Sequence, residues 1–150
     1  MKNYQLVGDI LVTHRRRSIR LKGYDYSQAG LYFITMCTHN RLCLFGEIKN
    51  GEMILNEYGE IAEKEWIKTS KMRANIYLDV FGIMPNHVHG IIEINGIVEG
   101  RGTMHRAPTP VWQRNYYEHI IRNEKSCHQI AEYIQTNPLK WRDDKYYESN

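Results

Sequence analysis

Two apolar runs, Ile76-Tyr77-Leu78-Asp79-Val80-Phe81-Gly82-Ile83 and Val88 to Ile94, stand on either side of Met84-Pro85-Asn86, which leaves the middle of the chain few ways to fold. Side chains of an extended strand alternate between faces, and Pro-Asn suits a tight reversal. The segment therefore predicts an antiparallel pair of strands. His87 and His89 open the second strand on one shared face, while Val88 points the other way, toward a core. Two imidazoles at that spacing can hold one divalent metal; they read equally well as two exposed histidines at a strand start. A nucleotide hydrolase built on alternating histidines wants a third at position 91, where this chain has Ile91. The His-Glu-x-x-His pattern of helical zinc hydrolases is absent.

Around this pair the chain alternates strands and helices. Leu31 to Thr38 is rich in β-formers and ends in the polar turn His39-Asn40-Arg41. Leu42 to Ile48 and Met53 to Leu55 read as a hairpin turned by Asn50-Gly51. Asn56 is placed as an N-cap, and Tyr58, Ile61, Ala62, Trp66 and Ile67 follow at helical spacing as the buried stripe. Gly96 to Pro110 is an irregular Gly/Pro-rich connection, and a last helix runs from Asn123 or Glu124 to Asn137, stopped by Pro138. The order predicts an α+β fold: a ferredoxin-like antiparallel sheet with helices packed mainly on one face.

At 150 residues the chain is expected to form one domain, 1–150, with a basic arm at 1–23 and a shortened connection at 96–110. Cys37, Cys43 and Cys127 are odd in number and lack C-x-x-C spacing, which argues against a disulfide framework or zinc ribbon and for a reducing, cytoplasmic setting. No run approaches the roughly 18 apolar residues of a membrane span, and no signal-type apolar core follows Met1-Lys2-Asn3-Tyr4-Gln5. The expected partners therefore include no membrane. The net charge of +3 is mild. Its distribution says more, because Arg15, Arg16, Arg17, Arg20 and Lys22 cluster between Thr13 and Gly23 with no acid among them. Such a cluster suits phosphate backbones, or is simply a solvated arm.

In the last helix Ile130 and Ile134 mark the buried stripe, so Tyr133 lies at its border and Asn137 one turn farther along the same line. A tyrosine there can be a nucleophile toward phosphate if a metal polarises the phosphate, and an amide oxygen can complete a metal's coordination. A rim tyrosine and a helix-stopping asparagine are the plainer reading.

Taken together, Ser18-Ile19-Arg20-Leu21-Lys22-Gly23-Tyr24-Asp25-Tyr26, Tyr32-Phe33-Ile34-Thr35, Met84-Pro85-Asn86-His87-Val88-His89, Val111-Trp112-Gln113-Arg114 to Arg122, and Tyr133-Ile134-Gln135-Thr136-Asn137-Pro138 resemble the REP-associated tyrosine transposases, single-tyrosine enzymes with a His-hydrophobic-His motif. The resemblance runs in order from about Arg17 to Trp141. It implies a metal-dependent single-strand DNA endonuclease and strand transferase using Mg²⁺ or Mn²⁺ and acting on single-stranded or hairpin DNA. By that likeness His87, His89 and Asn137 are metal ligands, and Tyr133 attacks a DNA phosphate to leave a 5′-phosphotyrosine and a free 3′-hydroxyl. Arg15, Arg16, Arg17, Arg20, Lys22, Arg114 and His119 correspond to DNA-binding positions. The implied protein is cytoplasmic, associated with the nucleoid when bound to DNA, and a monomer or homodimer.

The chain departs from the family at Gly96 to Pro110, a stretch where the family has a further helix covering the sheet. This segment is too short and Gly/Pro-rich for one, so apolar sheet surface is left exposed or is filled otherwise. The alternatives are a nucleic-acid-binding remnant without catalysis, a phosphodiesterase that uses water, and an internally deleted copy that does not fold.

Overall fold

The computed structural model describes residues 29–96, 111–113 and 116–149. The basic arm, most of the 96–110 connection and Arg114 lie outside these residues. Four long strands, β1 (Gly30–Cys37), β4 (Ile76–Met84), β5 (His87–Ile94) and β6 (Tyr117–Ile121), form one antiparallel sheet in the order β4-β5-β1-β6. A separate hairpin joins β2 (Gly46–Lys49) to β3 (Glu52–Leu55). Its turn is Asn50-Gly51, with φ of 53° and 76°, the left-handed pair that a two-residue hairpin requires and that this dipeptide tolerates best. Helix α1 (Glu57–Met72) crosses from this hairpin to β4, and α2 (Glu124–Thr136) follows β6.

β5 lies between β1 and β4 and is antiparallel to both, which makes β1 and β4 parallel and α1 their crossover. This is the split β-α-β unit of a ferredoxin-like sheet. The α+β class and antiparallel order match the expectation from sequence. The helices, however, divide between the faces. Trp66 and Ala62 of α1 pack with Ile34, Met36, Val88 and Ile92, whereas Ile130, Ala131 and Ile134 of α2 pack with Phe33, Ile91 and Ile121. The cause is β5 itself. Val88 and Ile91 are both fully buried on opposite faces, each worth about 1.5–3 kcal/mol of transfer free energy, so each face needs a cover. β4 serves both through an irregularity between Leu78 and Phe81. The register shift keeps Leu78 and Phe81 together on the α1 face and gives Val80 to the α2 face.

Asn56 caps α1, its Oδ1 accepting the Gly59 N–H at 3.0 Å while its Nδ2 donates to the Leu44 carbonyl at 2.9 Å, a cap of about 1 kcal/mol. Gly59 has no Cβ to meet the Phe45 carbonyl pressed against it. The stripe expected to be buried on α1 is only half covered: Trp66 is buried, but Tyr58 is 67 % and Ile61 51 % exposed, and Ile67 is exposed too. Tyr58 and Ile61 border an apolar groove of about 630 Å³ whose floor includes Met36, Phe45, Trp66 and Val88 and whose rim includes Trp112. The described residues leave this stretch uncovered. No helix among the described residues is long and apolar enough to cross a membrane.

Candidate active site

The α2 face of the sheet carries the histidines. β1 and β4 flank β5, with His89 opposite Thr35 and Gly82 and His87 opposite Cys37 and Met84. Neither imidazole is exposed to solvent, so the reading of two exposed histidines does not hold. Their ring centroids lie 4.9 Å apart with the rings nearly perpendicular. Gly82 makes room for His89, since a Cβ there would lie 3.1 Å from His89 Nε2.

Asn86 orients His87. Its Nδ2 donates to the Tyr146 carbonyl at 2.7 Å and the Arg41 carbonyl at 3.2 Å, so its Oδ1 is the acceptor for His87 Nδ1–H at 2.9 Å. That leaves the lone pair of His87 on Nε2. From sequence Asn86 reads as a turn residue only.

α2 brings Tyr133 to the same place. Its ring centroid is 5.4 Å from that of His89, and Asn137, at the C-terminal cap of the helix, is buried one turn on. The chain then turns through a short 3₁₀ segment, Trp141–Asp143, and returns Asp144 and Tyr146 to the site. Asp144 Oδ2 accepts the Tyr133 hydroxyl at 2.6 Å and the Asn137 Nδ2 at 2.6 Å. The Tyr146 ring lies 4.7 Å from His87 and closes the other side. Asp144 escaped the sequence reading because Trp141-Arg142-Asp143-Asp144 has no periodicity to mark it. A cleft of about 340 Å³, lined by Glu132, Tyr133, Thr136, Asn137, Lys140 and Asp144, leads to the tyrosine from solvent.

Burial dominates the electrostatics. It lowers His87 to about 4, against the opposing pull of the Asp144 charge, and lowers His89 to about 3 with help from His87. Both rings are therefore neutral near pH 7, the form that can ligate a metal. Burial, followed by the hydrogen bond to Asp144 and its charge, raises the Tyr133 phenol well above its ordinary value. Burial pushes the Asp144 carboxyl up, but hydrogen bonds from Tyr133, the Tyr146 N–H and Asn137 outweigh it and hold the group below its usual range.

Four buried side-chain atoms here lack a hydrogen-bond partner: His87 Nε2, both ring nitrogens of His89, and Asn137 Oδ1. Buried polar atoms are rarely left so, and N,N,O donors of this kind fit a divalent cation. Among the described residues no three His, Cys, Asp or Glu side chains group to hold a metal; the third donor of the set is an amide. His119 sits exposed on the edge strand β6, opposite Phe33 of β1. Arg15, Arg16, Arg17, Arg20, Lys22 and Arg114 lie outside the described residues.

No family model matches the chain. An uncharacterized protein of Haemophilus influenzae is 42% identical over 169 aligned positions, which cover 89% of this chain and 94% of that protein. Since 89% of 150 residues is about 134, the relative carries about 35 aligned positions with no counterpart here. Among solved structures, a REP-associated tyrosine transposase bound to a REP hairpin superposes with a TM-score of 0.57 at 19% identity, covering 81% of this chain and 74% of that one. The chain belongs to one family with the Haemophilus protein, and its fold is that of the REP-associated tyrosine transposase.

Proposed function

We propose that this protein is a transposase-like enzyme, a metal-dependent single-strand DNA endonuclease and strand transferase acting on hairpin-forming DNA through a 5′-phosphotyrosine. The observation that carries the reading is the set of unpartnered donors on His87, His89 and Asn137, buried beside the hydroxyl-bearing ring of Tyr133. His87 through Nε2, His89 through a ring nitrogen and Asn137 through Oδ1 would hold Mg²⁺ or Mn²⁺. A cation bound there supplies Lewis-acid polarisation of the scissile phosphate.

Tyr133 supplies the nucleophile. Its hydroxyl already points at the Asp144 carboxylate, so a proton acceptor is in hydrogen-bond reach as the phenol oxygen bonds to phosphorus. The bond from phosphorus to the 3′-oxygen breaks, the 3′-oxygen takes up the proton that Asp144 accepted from the phenol and becomes a free hydroxyl, and the 5′-phosphate stays on Tyr133. Attack by that hydroxyl on the phosphotyrosine reverses the step and joins strands. Single-stranded or hairpin DNA is the partner; the fold neighbour is bound to a REP hairpin, and the basic residues Arg15 to Lys22 with Arg114 and His119 are the segments that contact it.

Incubation with Mn²⁺ and labelled single-stranded hairpin DNA gives a protein–DNA adduct that survives denaturing electrophoresis, and Tyr133→Phe abolishes it. Equal cleavage by the phenylalanine variant assigns the chemistry to water and removes the tyrosine from the role. A second reading, a DNA-binding module of the same fold without catalysis, is favoured by the groove that the described residues leave uncovered on the α1 face and by the roughly 35 positions without a counterpart. Salt-sensitive DNA binding with no adduct at any metal concentration selects it.

A further inference from the structure

A single carboxylate oxygen, Asp144 Oδ2, receives both the Tyr133 hydroxyl and the Asn137 side-chain nitrogen, each at 2.6 Å. The other oxygen, Oδ1, accepts the Tyr146 N–H at 2.7 Å, so the carboxylate cannot rotate without losing a bond. A carboxylate only accepts, and an amide presents NH₂ on one side and oxygen on the other. Asn137 must therefore turn its NH₂ to Asp144, which sends its Oδ1 the opposite way, to a buried position without a hydrogen-bond partner. The flipped amide would give its NH₂ to the histidine lone pairs, a sound hydrogen bond that blocks any cation. What forbids the flip is the contact of two oxygens at hydrogen-bond distance in a buried setting.

We infer that Asp144 is a positioning residue: it locks Asn137 in the orientation that offers Oδ1 as a metal donor, and it holds Tyr133 from the same oxygen. The inference rests on the reading of His87, His89 and Asn137 as ligands. It makes the nucleophile and one ligand share an anchor, so their separation is set by one carboxylate rather than by two independent rotamers. Charge-assisted hydrogen bonds of this length are strong enough to do so.

The test is Mn²⁺ titration calorimetry, without DNA, on the wild type, Asp144→Ala, Asn137→Ala and the double variant, each checked for a cooperative melt. Asp144→Ala is expected to weaken Mn²⁺ binding about 10- to 100-fold, the usual loss when a residue behind a ligand is removed. The double variant binds no more weakly than Asn137→Ala alone, because Asp144 acts through that amide. Asp144→Asn keeps an oxygen acceptor and recovers part of the affinity; it carries the same comparison if the alanine chain does not fold. Wild-type affinity in Asp144→Ala, or losses that add in the double variant, overturn the inference. An adduct formed by the wild type alongside unchanged Mn²⁺ affinity in Asp144→Ala sinks the role of Asp144 and leaves the enzyme reading intact. Loss of coupling-dependent affinity with no adduct in the wild type does the reverse.

Discussion

Asn86 Oδ1 lies 2.9 Å from His87 Nδ1, and the two carbonyls held by the same residue's Nδ2 decide which atom of the amide faces the ring. Asn86→Ala removes this tautomer lock and leaves the Tyr146 carbonyl buried without its donor. Expected outcomes are a loss of about 1–3 kcal/mol in urea denaturation and a 10- to 100-fold weaker Mn²⁺ affinity. Asn86→Asp keeps the acceptor for His87 but not the donors, so affinity falls less than stability.

Metal-free protein loses stability in mild acid. His87 and His89 sit near 4 and 3 in the folded state against an ordinary 6.5, so on acidification the unfolded chain takes up protons first. Their contribution is complete above about pH 6.5, declines as pH falls toward 4 and then 3, and levels off below, a loss on the order of a few kcal/mol. Urea midpoints at pH 7.5 and 4.5 measure it. His89→Asn flattens part of this slope, and equal midpoints for the wild type would contradict the burial of both rings.

Two glycines on opposite faces separate chemistry from folding. A Cβ at Gly82 meets His89 Nε2 at 3.1 Å, whereas one at Gly90 meets Trp66 Cζ2 at 2.6 Å and Phe81 Cβ at 2.7 Å. Gly82→Ala is expected to fold and to bind Mn²⁺ about 10-fold more weakly. Gly90→Ala overpacks the α1 face and costs about 1–3 kcal/mol, with metal affinity within twofold of wild type. Calorimetry and thermal melts on the pair read both quantities.

The α1 stripe offers a contrast of the same kind. Ile61→Glu is expected to change stability by no more than about 0.5 kcal/mol because half of that side chain is exposed. Trp66→Ala removes a buried ring and costs about 3–5 kcal/mol. Similar losses at both positions would mean that the groove is filled.

Strict period made some elements legible from sequence. The β4–β5 pair, the Asn-Gly turn and the Asn56 cap follow from local chemistry and hold within a residue or two. Tyr133 and Asn137 fall one turn apart on α2 as the helical spacing requires, and β5 brings His87 and His89 to the same face. The division of the helices was not legible, because polar rings at His87 and His89 disguise a strand buried on both sides. Nor was the exposure of Tyr58, Ile61 and Ile67, since periodicity says which residues share a face and not how closely that face approaches a neighbour. Asp144 reaches Tyr133 and Asn137 across 11 and 7 positions, and Asn86 is turned toward His87 by carbonyls 45 and 60 positions away, which no local pattern encodes.

Burial of β5 on both faces also sets the reading frame of the site. From Asn86 onward, alternate residues go to the histidine pocket and to the core around Trp66. One residue inserted between His87 and Ile91 would trade these destinations for everything downstream of it, pressing an imidazole against Trp66 or a valine against Tyr133. Lengthening this strand by a single residue should be more damaging than most substitutions within it.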